Sequence, residues 1–187
     1  MNRIRFCKVR EVEVPSYANH GDAGLDFKIP SNLTIENIRT ANAQAEDIVI
    51  SPDITGVGIV RTVINHSTGY ITSIILGPHS RVLIPSGIRV LIEPENSMLM
   101  AANKSGKSYK KGLVYTAEIV DSPYTGEIHL GICNTSSTTQ VVEVGSILQF
   151  IHVPIYITPL EEISVEEYED LATTWGTRGS NGLGSGD

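Results

Sequence analysis

The stretch Ala117-Glu118-Ile119-Val120-Asp121-Ser122-Pro123-Tyr124-Thr125-Gly126-Glu127-Ile128-His129-Leu130 reads as a β-hairpin. A β-rich run arrives at Asp121, Pro123 restricts φ and Gly126 frees it, and alternation resumes at Ile128, Leu130 and Ile132. A carboxylate therefore stands at the mouth of a tight turn. Held at a strand end, Asp121 can take a proton from a water or hydroxyl, and the Tyr124 ring can floor a pocket for a flat ring. The same two residues also suit a plain turn cap and a packed aromatic, so the surrounding chain has to decide between these readings.

Short strands surround this turn. Upstream, Gly77-Pro78-His79-Ser80 and Pro85-Ser86-Gly87 are turns that bracket strands at Val82–Ile84 and Ile88–Ile92. Downstream, Val141 to Val153 reads as a buried strand pair in which Gln149 is the polar exception and needs a backbone or ligand partner. Residues 1–14 form a further strand that Pro15 ends, and Tyr17 to Phe27 holds two glycines that permit close backbone approach before Asp26. The pattern predicts an all-β domain with one short helix, announced by the capping box Ser164-Val165-Glu166-Glu167 and the apolar side of Tyr168 and Leu171. The glycine-rich end, Thr177 to Asp187, has the composition of a disordered terminus.

At 187 residues and 41% hydrophobic content the chain suits one domain, and no apolar run approaches a membrane span. The N-terminus enters a strand pattern without the apolar core of a signal peptide, which predicts a cytoplasmic protein, in the host cytoplasm for a viral or phage chain. A net charge of −7 excludes a general affinity for nucleic acid, and positive charge is concentrated at Lys104, Lys107, Lys110 and Lys111, with Arg178 in the tail. Cys7 and Cys133 lack metal or redox spacing, and the five histidines show no ligand pattern.

Ala101 followed by Gly106-Lys107-Ser108 imitates a phosphate-binding P-loop, with Ala117 to Asp121 as its companion strand. That reading needs a helix directly after Lys107-Ser108, which Tyr109-Lys110-Lys111-Gly112 does not begin, and a βα alternation the chain lacks. A glycine-softened turn with a cation and two hydroxyls still suits phosphate oxygens.

Taken together, these stretches resemble the five ordered motifs of the homotrimeric dUTP diphosphatase (dUTPase) family. Ala23-Gly24-Leu25-Asp26 resembles the first, Lys104-Ser105-Gly106 the second, and Ile119 to Glu127 the third; Gly145-Ser146-Ile147-Leu148-Gln149 resembles the fourth and Arg178 to Ser185 the fifth. The resemblance implies a jelly-roll-like distorted β-barrel, a homotrimer with sites between subunits, and a flexible arm at 176–187 that closes a neighbour's site. It implies hydrolysis of dUTP to dUMP and pyrophosphate, with Mg2+ held by the triphosphate and not directly by the protein. Asp121 would activate the attacking water, Tyr124 would lie under the deoxyribose, and Lys104, Ser105, Gly106 and Gln149 would hold phosphates with Asp26 as support. Arg178, Gly184 and Ser185 would clamp the terminal phosphate, and Leu183 would lie over the uracil.

Four departures stand out. Lys104 replaces the usual Arg, and Leu183 replaces the usual aromatic; the segment from Gly112 to Asp121 is short, with Tyr115 near where an Asn is expected. The stretch between Asp26 and Gly77 is long, which predicts an inserted surface module within about 31–75, dispensable for catalysis and a possible partner surface. A nucleotide-loaded regulatory protein using that module is an alternative reading. The related dCTP deaminase, which carries a catalytic Glu ten residues after the third-motif Asp, is disfavoured because that position is Gly131.

Overall fold

The computed structural model describes residues 3–45, 49–51 and 58–175. In chain order these form β1 (Arg3–Lys8), β2 (Ser16–Tyr17), β3 (Gly24–Lys28), α1 (Ile35–Ala41), β4 (Val49–Ser51), β5 (Ile59–Ile64), β6 (Ile71–Leu76) and β7 (Arg81–Glu93). There follow β8 (Ser97–Ala102), α2 (Ser105–Lys111), β9 (Leu113–Thr116), β10 (Ile119–Asp121), β11 (Glu127–Asn134), β12 (Gln140–Glu143), β13 (Ile147–Pro154) and α3 (Val165–Trp175).

The strands build three sheets, in the orders β1-β7-β11-β9, β10-β8-β13-β3-β2 and β12-β6-β5-β4. The fold is mostly β, as the alternating pattern predicts, but these sheets do not close into a single barrel. Fully buried side chains from all three sheets, among them Phe27, Ile74, Leu76, Ile84, Leu99, Ile128, Leu130 and Phe150, fill one core in which the Phe27 and Phe150 rings meet edge to face at 4.9 Å.

Besides Pro85-Ser86-Gly87, which lies inside the continuous strand β7 and is no turn between two strands, three expectations need correction. The stretch around Asp121 is not a hairpin: β10 pairs with β8, whereas β11 pairs with β7 and β9, so the turn carries the chain from one sheet to another. Alternation reports which face of a strand is buried and says nothing of its partner. There are three helices among the described residues where one was expected. Helix α1 hides its start behind an unusual capping box, in which the Thr34 hydroxyl accepts from Asn37 N and Asn37 Oδ1 accepts from Thr34 N. Helix α2 contains Lys107 and Ser108, but it begins at Ser105 and ends two turns later at Gly112, whose φ of +65° closes it. The glycine loop that precedes the helix in a P-loop is therefore not formed.

The third correction concerns the stretch from 31 to 75. Leu33, Ile38, Val60, Ile71 and Ile74 are at most 1% exposed and belong to the main core, so the segment is no surface module. Strand β1 covers β7 only from Ile88 onward, and the remaining edge of β7 needs other partners. Asn42, just after α1, supplies them: its amide donates to Leu83 O and accepts from Leu83 N, both at 2.9 Å.

Residues from Tyr156 onward make a second unit. Its helix α3 is capped as predicted, with the Ser164 hydroxyl accepting from Glu167 N at 3.1 Å, and Val165, Tyr168 and Leu171 are exposed on it. No helix among the described residues is long and apolar enough to cross a membrane.

Candidate active site

Asp121 is the last residue of β10, registered opposite Met98, and its carboxylate is exposed. The turn beyond it is closed by Tyr124 N donating to Asp121 O at 3.0 Å, and it is tied to the β7–β8 connection by Ser122 Oγ donating to Glu95 O at 2.7 Å. Tyr124 is 44% exposed, yet its hydroxyl donates to Glu127 O at 2.9 Å. Its ring lies so close over Gly126 that a Cβ there would meet the Tyr124 hydroxyl at 2.5 Å. The turn thus carries an accessible carboxylate and, three residues on, a half-exposed aromatic ring whose hydroxyl is hydrogen-bonded.

A second cluster gathers around Asp26. Strand β3 places Asp26 opposite Gln149 of β13, and Gln149 in turn stands opposite Ala102 of β8. Lys104, two residues beyond β8, donates its ammonium to Asp26 Oδ1 at 2.7 Å, with the two side chains 29% and 9% exposed. Gly24 lets the Gln149 side chain lie over the β3 backbone: a Cβ there would stand 2.5 Å from Gln149 Oε1 and would displace that amide. Tyr115, buried on β9, has its hydroxyl pKa pushed up to about 12 by burial and the nearby Asp26 charge. Its backbone N–H is held by Asn103 Oδ1 at 2.8 Å.

Ser105 and Gly106 follow directly and are exposed on the first turn of α2. A Cβ on Gly106 would meet nothing within 4 Å, so this chain's own packing does not demand the glycine. Burial, and then Lys111, hold the Lys107 ammonium below the usual lysine range.

The chain does not bring these two clusters together. Asp121 is level with Val153 of β13, four residues along from Gln149, and lies three strands across the sheet from β3. At about 3.3 Å per residue and about 4.8 Å per strand, Asp121 and Asp26 are roughly 20 Å apart. Adjacent phosphates of one nucleotide cannot span that gap. Arg178, Leu183, Gly184 and Ser185 lie outside the described residues.

The family model for dUTPase matches residues 69–186, well over half of the chain. The chain belongs to the dUTPase family. The match begins downstream of Ala23–Asp26, so the assignment of that first motif rests on the pairing of β3 with β13. Deoxyuridine 5'-triphosphate nucleotidohydrolases from Fusobacterium nucleatum and Haemophilus ducreyi are 27% and 28% identical to this dUTPase chain; the alignments cover 98% and 94% of it, and 97% and 87% of the relatives. The dUTPase of Staphylococcus bacteriophage 80alpha, solved with dUPNHPP, superposes with a TM-score of 0.65 at 19% identity over 100% of this chain and 99% of that one. A mutant dUTPase of phage phi11, described with a structural Mg(II) ion, gives 0.60 at 17% identity over 87% of this chain and 97% of its own.

Sequence reasoning missed several supports of this dUTPase site. Arg10 forms a two-pronged ion pair with Glu127, at 2.8 and 3.1 Å, across 117 positions. Asn103 accepts from Tyr115 N without any motif to mark it, and Tyr115, marked in the sequence only as a departure, lies near enough to Asp26 to feel its charge. Gly131 is better explained now: a Cβ there would meet Thr116 O and Oγ1 at 2.5 Å, so the position that the deaminase gives to Glu has no room for a side chain.

Proposed function

We propose that this dUTPase cleaves dUTP to dUMP and pyrophosphate by means of a water that Asp121 orients and deprotonates for attack on the α-phosphorus. The observation that carries the reading is the turn from Asp121 to Glu127, where an exposed carboxylate and a pinned tyrosine ring adjoin in a chain of this family. Tyr124 lies under the deoxyribose and crowds out a 2′-hydroxyl. Ser105, Gly106, Lys104 and Gln149 hold phosphates, with Asp26 fixing Lys104 from behind. Lys104 offers a point charge already shared with Asp26, so a phosphate reaching it competes with a carboxylate. Arg178, Gly184 and Ser185 of the tail clamp the terminal phosphate, and Leu183 covers the uracil.

The roughly 20 Å between Asp121 and Asp26 supports a site assembled from different copies of the chain, in a homotrimer. One copy brings the Asp121 turn and another the Asp26 cluster. Among the described residues no three His, Cys, Asp or Glu side chains form a cation cage, and Asp26 Oδ1 is engaged by Lys104. A Mg2+ carried by the triphosphate oxygens would neutralise phosphate charge beside Lys104, Ser105 and Gly106.

Pyrophosphate release from dUTP, dTTP, dCTP and UTP with Mg2+ tests the reading. Preferred cleavage of dUTP to dUMP and pyrophosphate is expected. Release of dUDP with orthophosphate, or of ammonia, would overturn it.

A further inference from the structure

We propose that Arg10 is a positioning residue for the sugar-binding ring of this site, acting through Glu127 on Tyr124. The inference rests on the reading of Tyr124 as the deoxyribose platform. Its origin is a fault in the β7–β11 ladder. Glu127 registers with Arg89 and His129 with Pro85, so three residues of β7, Ser86 to Ile88, face the single Ile128. Gly87 sits in this bulge at φ +74°, packed so closely that a Cβ would lie 3.0 Å from both Arg10 Cβ and Val12 Cγ1.

The irregular pairing cuts the Glu127–Arg89 pair, at the end of the catalytic turn, off from the regular ladder that resumes at His129. Side chains reinforce this break. Glu127 Oε1 accepts from Gly87 N at 2.7 Å, and both carboxylate oxygens accept from the Arg10 guanidinium. Arg10 itself is held because Val9 N donates to Gly87 O at 2.7 Å. The pair is largely buried, with side chains 22% and 15% exposed, so its fork is stronger and more directional than a surface ion pair.

What the clamp fixes is the backbone carbonyl of Glu127. That oxygen accepts from the Tyr124 hydroxyl at 2.9 Å and lies 3.0 Å from His129 Nδ1. Tyr124 is half exposed, and its ring closely approaches Gly126. If Glu127 shifts, the ring loses the acceptor that sets its tilt, and the ring is the surface that a 2′-hydroxyl would strike. Arg10 touches no reacting atom, so its effect is on discrimination between sugars more than on the chemical step.

The readout is the ratio of kcat/KM for dUTP to that for UTP, which does not depend on the fraction of enzyme that is folded. Tyr124→Phe and Arg10→Ala should each lower this ratio by roughly five- to tenfold, the size of one lost hydrogen bond. The double variant should fall no further than the larger single effect, because both changes act on one contact. Glu127→Gln keeps an acceptor for Gly87 and folds more readily; it and Arg10→Lys should give intermediate ratios. A lower Tm with an unchanged ratio in Arg10→Ala and Glu127→Gln would make the clamp merely structural and overturn the proposal.

A second measurement needs no turnover. The Gly126 α-protons lie beside the Tyr124 ring, and their NMR shifts should move toward unstructured values in Arg10→Ala and Glu127→Gln but not in Arg39→Ala, on exposed α1 surface. Unchanged shifts would overturn the positioning role. Failure of the wild type to cleave dUTP would overturn the proposed function and leave this result to be read on its own.

Discussion

Lys104 donates its ammonium to Asp26 Oδ1 at 2.7 Å, joining the second and first motifs across the sheet at a carboxylate that is 9% exposed. The pair leaves the Lys104 side chain partly accessible while burying its partner, and its energetic weight therefore falls on Asp26. Asp26→Asn should destabilise the chain by roughly 1–3 kcal/mol, since it removes a charge-assisted bond and leaves a half-buried ammonium without its counter-charge. Thermal unfolding measures this directly. An unchanged Tm would show that the pair does not hold the fold, and a kcat/KM for dUTP within twofold of wild type would show that it does not position Lys104.

Asp121→Asn is expected to keep the Tm, because the carboxylate is exposed and the turn is closed by backbone atoms. Turnover should fall on the order of 10²–10⁴-fold with nucleotide binding retained, since the amide cannot accept the proton of the water. Near-native turnover would remove Asp121 from the mechanism.

Ile38 tests the standing of the segment that the sequence marks as an insertion. Fully buried on α1, it should cost about 2–5 kcal/mol when changed to Ala, as much as Leu130→Ala in β11. Replacing residues 36–70 by a short Gly/Ser linker should accordingly give an insoluble or unfolded chain. A soluble, active trimer from that replacement would contradict the packing described above.

Tyr115 makes stability sensitive to alkali. With its pKa at about 12 in the folded chain and about 10 when unfolded, the folded state retains the proton longer. The contribution is whole below pH 10 and declines as pH rises from 10 toward 12, by up to roughly 2–3 kcal/mol. Urea midpoints measured between pH 9 and 11.5 should drop more steeply in the wild type than in Tyr115→Phe. Parallel curves would show that neither burial nor the Asp26 charge raises the Tyr115 pKa in the folded chain.

Truncation before Arg178 should leave a folded oligomer and lower turnover by roughly 10²–10³-fold, the scale of a lost transition-state donor. Mixed with Asp121→Asn protein under subunit exchange, the truncated chains should regain part of the activity. Demonstrated exchange without recovery would argue against a site shared between copies.

Much of this protein was legible in its sequence because the relevant signals are local. Alternation with closely spaced Gly and Pro marks short strands, so the all-β class follows from the periodicity of residues such as Ile128, Leu130 and Ile132 alone. The Ser164 cap is read from four neighbouring residues, and the family follows from motifs that are contiguous runs. Other features depend on tertiary structure, because they join residues with no local mark of their partnership. Periodicity assigns faces but not neighbours, so only the fold shows that β10 leaves β11 for another sheet and that Leu33, Ile38 and Ile71 belong to the main core. The Arg10–Glu127 fork spans 117 positions, and the same strand geometry that seats Asp26 against Lys104 holds Asp121 roughly 20 Å away from them. A linear motif order carries no distances, and only the paired strands show that Asp121 and Asp26 stand apart within one chain.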